Sequence, residues 1–90
     1  MADGTQGDSA RLNFTTFLLS LGTSALVQMG DVPDPTGQEE TDLAGARQTI
    51  DLLDLLHEKT RGNLDEDEER LLKRLRTDLK LRFVEAAKRG

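Results

Sequence analysis

The stretch from Phe14 to Gly30 constrains the fold of this chain more than any other feature. It reads FTTFLLSLGTSALVQMG and contains no charged residue, although 32% of the 90 residues are charged. Wound as a helix at about 100° per residue, it places a core-facing stripe on one side. That stripe contains Phe14, Phe17, Leu18, Leu21, Ala25 and Met29, and Leu19 and Leu26 form a second ridge. A helix without a charged face is usually buried on more than one side. We therefore expect it to be a central helix, covered by the rest of the chain and by a second copy of it.

Two other interpretations of this helix stay open. It can be a surface helix that docks a different protein, or it can associate with a membrane. The membrane interpretation is weaker because a spanning helix needs about 20 mostly apolar residues, and this run is shorter and rich in Thr, Ser and Gly. Flanking cations are also scarce, with only Arg11 nearby.

Length and composition narrow the classes of protein. Ninety residues allow one small domain that buries limited surface alone, so oligomerisation is a natural way to gain stability. The chain has no cysteine and one histidine, which excludes disulfides, thiol chemistry and multi-histidine metal sites. We expect no metal and no cofactor. The lack of cysteine and of an evident targeting segment favours a cytoplasmic location.

Charge is divided unevenly along the chain. Residues 31–69 carry 13 acidic and 3 basic side chains, whereas residues 70–90 carry 8 basic and 2 acidic ones. The formal net charge is −5. Such a division can be satisfied within the fold, by the acidic part of one chain facing the basic part of another.

The first 30 residues and the following loop have simple local signals. Residues 1–12 are small, polar and without periodicity, which predicts a disordered N-terminal tail. Asn13 is a plausible N-cap, and Gly30 suits the C-terminal cap.

Two prolines then indicate a loop. Its acids lack the spacing of a calcium loop, so we expect them to be solvated: Asp31, Asp34, Glu39 and Glu40.

A second helix is predicted over residues 42–60. Its apolar stripe comprises Leu43, Ala46, Ile50, Leu53 and Leu56, widened by Leu52. His57 falls inside this apolar arc. A general base or a pH sensor is one interpretation. No nucleophile or acid at catalytic spacing accompanies it, so a histidine at the edge of the core is the better interpretation.

A third helix is predicted over residues 65–88. Gly62 is expected at the C′ position after the second helix, and Asp65 with Glu68 forms a capping box at the start of the third. The buried face comprises Leu71, Leu72, Leu75, Leu79, Phe83 and Ala86. Cations lie on the opposite side, and Leu81 and Val84 fall among them. Either a partner or another subunit covers these two residues, or their exposure is simply tolerated.

Several short motifs together resemble a known family. They are Phe-x-x-Phe at Phe14, the run from Ser20 to Ala25, the Gly-Asp-Val-Pro-Asp-Pro turn, the segment Gln48–Leu53, and the break Lys59–Leu64. In these motifs, which span about Leu12 to Glu85, the chain resembles the bacterial domain-of-unknown-function family numbered 1844. The resemblance implies a small cytoplasmic helical domain. It implies no activity, cofactor or catalytic residue.

The sequence therefore predicts an all-α fold, with three antiparallel helices over residues 13–88 (14–29, 42–60 and 65–88) completed by oligomerisation. The favoured function is a non-enzymatic protein-interaction or oligomerisation module whose partner is itself or another protein. Peripheral membrane association through the first helix and nucleic-acid or ribosome binding through the basic third helix are the alternatives. The candidate interaction residues are Phe14, Phe17, Leu18, Leu19, Leu21 and Leu26 on the first helix, and Lys73, Arg74, Lys80, Leu81 and Val84 on the third.

Overall fold

The part of the chain that the structure describes folds into three helices that all contact one another. A computed structural model describes residues 13–34, 36–37 and 40–89, so the predicted tail over residues 1–12 lies outside the described residues. The helices are α1 (Phe14–Met29), α2 (Leu43–Lys59) and α3 (Glu66–Arg89). The described residues contain no strand. The predicted all-α fold class is confirmed.

Local capping sets both ends of α1. The Asn13 side chain accepts a hydrogen bond from the Thr16 N–H at 2.8 Å. At the other end Gly30 adopts φ 82°, a left-handed conformation that glycine adopts without steric cost. Its N–H and that of Asp31 donate to carbonyls of the last turn. The helix therefore begins and ends where the sequence signals indicate.

The caps of α2 and α3 also come from nearby side chains. Asp42 accepts from the Gly45 N–H at 2.9 Å. Asp65 and Glu68 exchange hydrogen bonds, each side chain accepting from the other residue's N–H, at 2.8 and 2.9 Å, which is the predicted capping box.

The prediction of Gly62 as the C′ residue of α2 is wrong by one position. Thr60 is the C-cap, and both its N–H and its hydroxyl donate to the carbonyl of Leu56, at 2.9 and 2.6 Å. Gly62, with φ 82°, lies two residues beyond that cap. The threonine hydroxyl satisfies a carbonyl at the helix end, and the left-handed glycine then turns the chain towards α3.

The core draws equally on the three helices. Its buried hydrophobic residues are Leu18, Ala25 and Met29 of α1, Ala46, Ile50 and Leu53 of α2, and Leu72, Leu79 and Ala86 of α3. All nine lie on the predicted stripes. Half-buried apolar side chains from each helix pack around this centre.

Three predictions about side-chain burial are wrong. Leu52, expected to widen the stripe of α2, is 36% exposed. Phe17 is half-buried and does not pack against the buried core, because it lies about 100° around α1 from Leu18. Asp31, expected to be solvated, has a side chain only 15% exposed and is paired with two arginines of α3.

Candidate interaction surfaces

The predicted interaction residues lie in several separate places. Leu18 is fully buried in the chain's own core, and Phe14, Leu21 and Leu26 pack around it. Leu19 lies on the exposed side of α1. The α3 residues separate in turn: Lys80 and Val84 line a groove against α2, and Lys73 lines a cavity near the turn between these helices. Arg74 is exposed and lines neither.

The exposed side of α1 carries no charge. It comprises Thr15, Thr16, Leu19, Ser20, Thr23 and Ser24, and we call it the uncharged face. Leu19 is 50% exposed. The buried residues of α1 face the other way, and the added Cβ of an alanine at Gly22 would stand 3.2 Å from Leu75 Cδ2. The absence of a side chain at Gly22 lets α1 pack closely on α3, and the hydroxyl-bearing side of α1 faces outwards.

A polar link holds α1 against α2 beside this face. The side-chain amide of Gln28 lies 3.0 Å from the Thr49 hydroxyl and, with its nitrogen turned towards α2, 3.3 Å from the Gly45 carbonyl. The carbonyl of Gln28 accepts from the Asp42 N–H at 2.8 Å. These contacts fix the end of α1 relative to the start of α2.

A groove between α2 and α3 has an apolar floor and charged sides. Its volume is about 440 Å³, and it is lined by Arg47, Ile50, Asp51, Asp54, Lys80, Phe83 and Val84. Val84 is 50% exposed, and Leu81, three residues before it, is 64% exposed. The charges on the sides of the groove are balanced, with two cations and two carboxylates.

Asp54, on one side of this groove, joins the two helices. Its Oδ1 accepts from Arg76 Nε at 2.8 Å and lies 3.0 Å from Lys80 Nζ. Partial burial by itself raises the pKa of Asp54, but hydrogen bonds from Arg76 and Lys80 and their positive charges outweigh it, so the pKa is lowered overall. Asp54 is therefore held as a carboxylate with two cationic partners.

The cavity near the turn between α2 and α3, which we call the turn pocket, has three cationic side chains and His57 in its lining. Its volume is about 280 Å³, and it is lined by His57, Arg61, Leu64, Glu69, Leu72, Lys73 and Arg76. His57 is half-buried at the edge of the core.

Asp31 fastens the loop after α1 to the end of α3. It accepts from Arg89 Nη2 at 3.0 Å and from Arg82 Nη1 at 3.4 Å. Arg82 also donates to Asp78 at 3.0 Å. The carboxylates of Asp78 and Asp31 raise the pKa of Arg82 above its usual value, and Asp78 has the larger effect. The acidic middle and the basic end of the chain thus meet within one molecule.

Neither a group of metal ligands nor a membrane-spanning helix is present in the described residues. In this part of the chain, no group of three His, Asp or Glu side chains is placed to hold a metal ion. None of α1, α2 and α3 combines the length and the apolar character needed to cross a bilayer.

The model of the family described as "Domain of unknown function (DUF1844)" matches residues 11–85. The chain belongs to this family. The resemblance seen in its motifs is thereby confirmed. Comparisons with curated proteins and with solved structures found no match. All three helices of this DUF1844 chain begin within the matched range, and α3 continues four residues beyond it.

The sequence did not reveal the two carboxylates that join distant segments. The sequence indicates ordinary exposed acids at Asp31 and Asp54, because neither has a cationic residue three or four positions away with which to form an ion pair. Their partners lie 22 to 58 residues away. The only sequence signal was the excess of acids before residue 70 and of bases after it.

Proposed function

We propose that this protein is a non-enzymatic interaction module that self-associates through the uncharged face of α1. The observation that carries the proposal is a helix side, exposed from Thr15 to Ser24, that has no charge in a chain of which 32% is charged. The centres of protein interfaces are depleted of charged residues. A surface of this composition is unusual for a helix that faces only water.

The geometry of the face suits a second copy of the same chain. Thr, Ser and one Leu present little bulk, so two helices can approach closely. A two-fold contact brings the same patch of each chain together. Leu19 then meets its counterpart or the neighbouring Thr16, and the hydroxyls have each other and backbone carbonyls as partners.

We also infer that α2 and α3 are antiparallel neighbours. Asp54 lies late in α2 and pairs with Arg76 in the middle of α3, whereas Arg47, early in α2, shares a groove with Val84 near the end of α3. Contacts that run in opposite senses along two helices support an antiparallel pair.

The ion pairs favour a structural role for the residues that resemble catalytic groups. Asp54 is committed to Arg76 and Lys80, and His57 lies at the core edge among cations rather than beside a nucleophile. These contacts support the proposal of a protein without enzymatic activity. A cysteine-free composition supports a cytoplasmic location.

Membrane and nucleic-acid binding are less well supported. The uncharged face is rich in hydroxyls and carries no cation to attract anionic lipid. On α3, Lys80 is paired with Asp54 and Lys73 lines a cavity with Glu69, so Lys73, Arg74 and Lys80 do not form one continuous basic stripe. Vesicle and RNA binding therefore serve as alternative outcomes of the test.

The test inserts a charge into the face. We expect Thr23→Lys to weaken self-association at least about tenfold, because two copies would bury like charges. Thr77→Lys is the matched control, since Thr77 is an exposed threonine on α3 outside the face. Sedimentation equilibrium gives the association constant, and circular dichroism checks helix content. Equal association constants for the two variants would refute the proposed surface; binding of the unchanged protein to vesicles or RNA as a monomer would favour an alternative.

A further inference from the structure

The turn pocket places three cations and a histidine around one small cavity. Arg61 comes from the turn, Lys73 and Arg76 come from α3, and His57 comes from the last turn of α2. Glu69 is the one acid in the lining. The lining therefore carries a net charge of +2 with His57 neutral, in a protein whose formal net charge is −5. A local excess of positive charge against the overall sign marks a place where an anion is stabilised.

One of these cations is held in position before any ligand arrives. Arg76 donates through Nε to Asp54 at 2.8 Å, and its side chain is only 26% exposed. Within the described part of the chain, its terminal guanidinium nitrogens have no protein acceptor. An arginine fixed through one edge presents the other edge without a further loss of side-chain entropy.

The other two cations are available to a ligand. Arg61 and Lys73 form no ion pair with the described residues, although Glu69 lies four residues before Lys73 on the same helix. Leu64 and Leu72 supply an apolar wall, and Leu72 is 1% exposed. An apolar wall lowers the local dielectric and strengthens the attraction between the cations and an anion.

We propose that the turn pocket binds a small phosphate-class oxyanion. Its volume of about 280 Å³ is at the lower end for ligand cavities, which suits a compact anion rather than a large cofactor. Arg76 and Arg61 supply N–H donors for its oxygens, Lys73 supplies an ammonium, and His57 supplies a ring N–H. The proposal does not depend on self-association, because all these groups belong to one chain.

An NMR titration of the ¹⁵N-labelled full-length protein with inorganic phosphate tests the site. Sodium chloride keeps the ionic strength constant, so that general screening contributes nothing to the shifts. We expect saturable shifts by about 20 mM phosphate, concentrated at the amides of residues 57–64 and 69–76. Shifts that stay linear, or that spread evenly over α3, would overturn the proposal.

Two neutral substitutions locate the anion. Lys73→Gln and Arg61→Gln should each weaken phosphate binding about fivefold or more, because each removes a charge-assisted hydrogen bond. Arg74→Gln is the matched control, since Arg74 is adjacent to Lys73, exposed, and outside the pocket lining. It should change binding less than about twofold. Equal losses in Lys73→Gln and Arg74→Gln would show that phosphate responds only to the general charge of α3. The two variants in different segments guard against a folding defect in either.

Discussion

Arg76 of α3 donates through Nε to Oδ1 of Asp54 of α2 at 2.8 Å, and this contact joins two segments 22 residues apart in the chain. Lys80 reaches the same oxygen at 3.0 Å. Arg76 also lines the turn pocket and Asp54 also lines the α2–α3 groove, so the ion pair lies between the two cavities. Its loss should affect both packing and electrostatics.

The first prediction concerns Asp54→Asn. Asp54 is 37% exposed, so solvent screens the pair, and we expect a loss of only about 0.5–1 kcal/mol in the free energy of unfolding near neutral pH. Its pKa is lowered in the folded state, so its contribution is present above the unfolded pKa and is lost as pH falls through the folded pKa. The difference in the free energy of unfolding between Asp54→Asn and the unchanged protein, measured by urea unfolding, should therefore shrink below about pH 4. Asp51→Asn is the control, because Asp51 is 64% exposed and lies 3.7 Å from its partner. A difference independent of pH would contradict this account.

The second prediction concerns the contact between α1 and α3. Gly22→Val should destabilise the fold by about 1–3 kcal/mol, because even the first added carbon would stand 3.2 Å from Leu75 and two more must fit beside it. Ala44→Val measures the cost of a branched side chain at an exposed helical position, which we expect to be about 0.5 kcal/mol. Chemical denaturation compares the two. If both variants lose the same amount, α1 and α3 are not closely packed at Gly22.

The third prediction compares two leucines on α3. Leu79 is 1% exposed and Leu81 is 64% exposed. Leu79→Ala should cost about 2–5 kcal/mol, because it leaves a cavity in the core. Leu81→Ala should change the free energy of unfolding by less than about 0.5 kcal/mol. A large loss for Leu81→Ala would mean that a partner covers this side of α3, and self-association through α1 alone would then be an incomplete description.

The fourth prediction concerns the start of α3. Asp65→Ala should cost about 1 kcal/mol, because the Glu68 N–H loses its acceptor. Asp67→Ala removes a charge from the same helix end but no cap, and its side chain is 90% exposed. Its effect should stay below about 0.5 kcal/mol. Thermal unfolding of both variants separates capping from the general charge effect at the helix terminus; equal losses would mean that charge alone stabilises this end.

Local signals account for the parts of the fold that could be predicted. Asn13, Asp65 and Glu68 cap the helices through residues three positions away, so their roles can be read from neighbouring letters. The nine buried hydrophobic residues of the core follow the helical period, and all of them lie on a predicted stripe. Each predicted helix boundary lies within one residue of the boundary observed, and the predicted ends at residues 42, 60 and 65 are cap or capping-box positions.

The contacts between helices could not be predicted in this way. Periodicity identifies a face of a helix but does not fix its rotation to within one residue, so it wrongly predicts Phe17 and Leu52 on the core side. The Asp31–Arg89 and Asp54–Arg76 pairs depend on how the helices align along their lengths. Capping signals and apolar stripes do not determine that alignment. The residues that line the turn pocket could therefore not be grouped from the sequence.

The absolute mass of the full-length protein in solution, measured by light scattering over a dilution series, tests the central claim most directly. The single chain has a mass of 10.0 kDa. Self-association through the uncharged face predicts the mass of two or more chains at high concentration, falling towards one chain in the Thr23→Lys variant but not in Thr77→Lys. A mass of 10.0 kDa at every concentration would contradict the claim, because the face from Thr15 to Ser24 would then remain exposed to water.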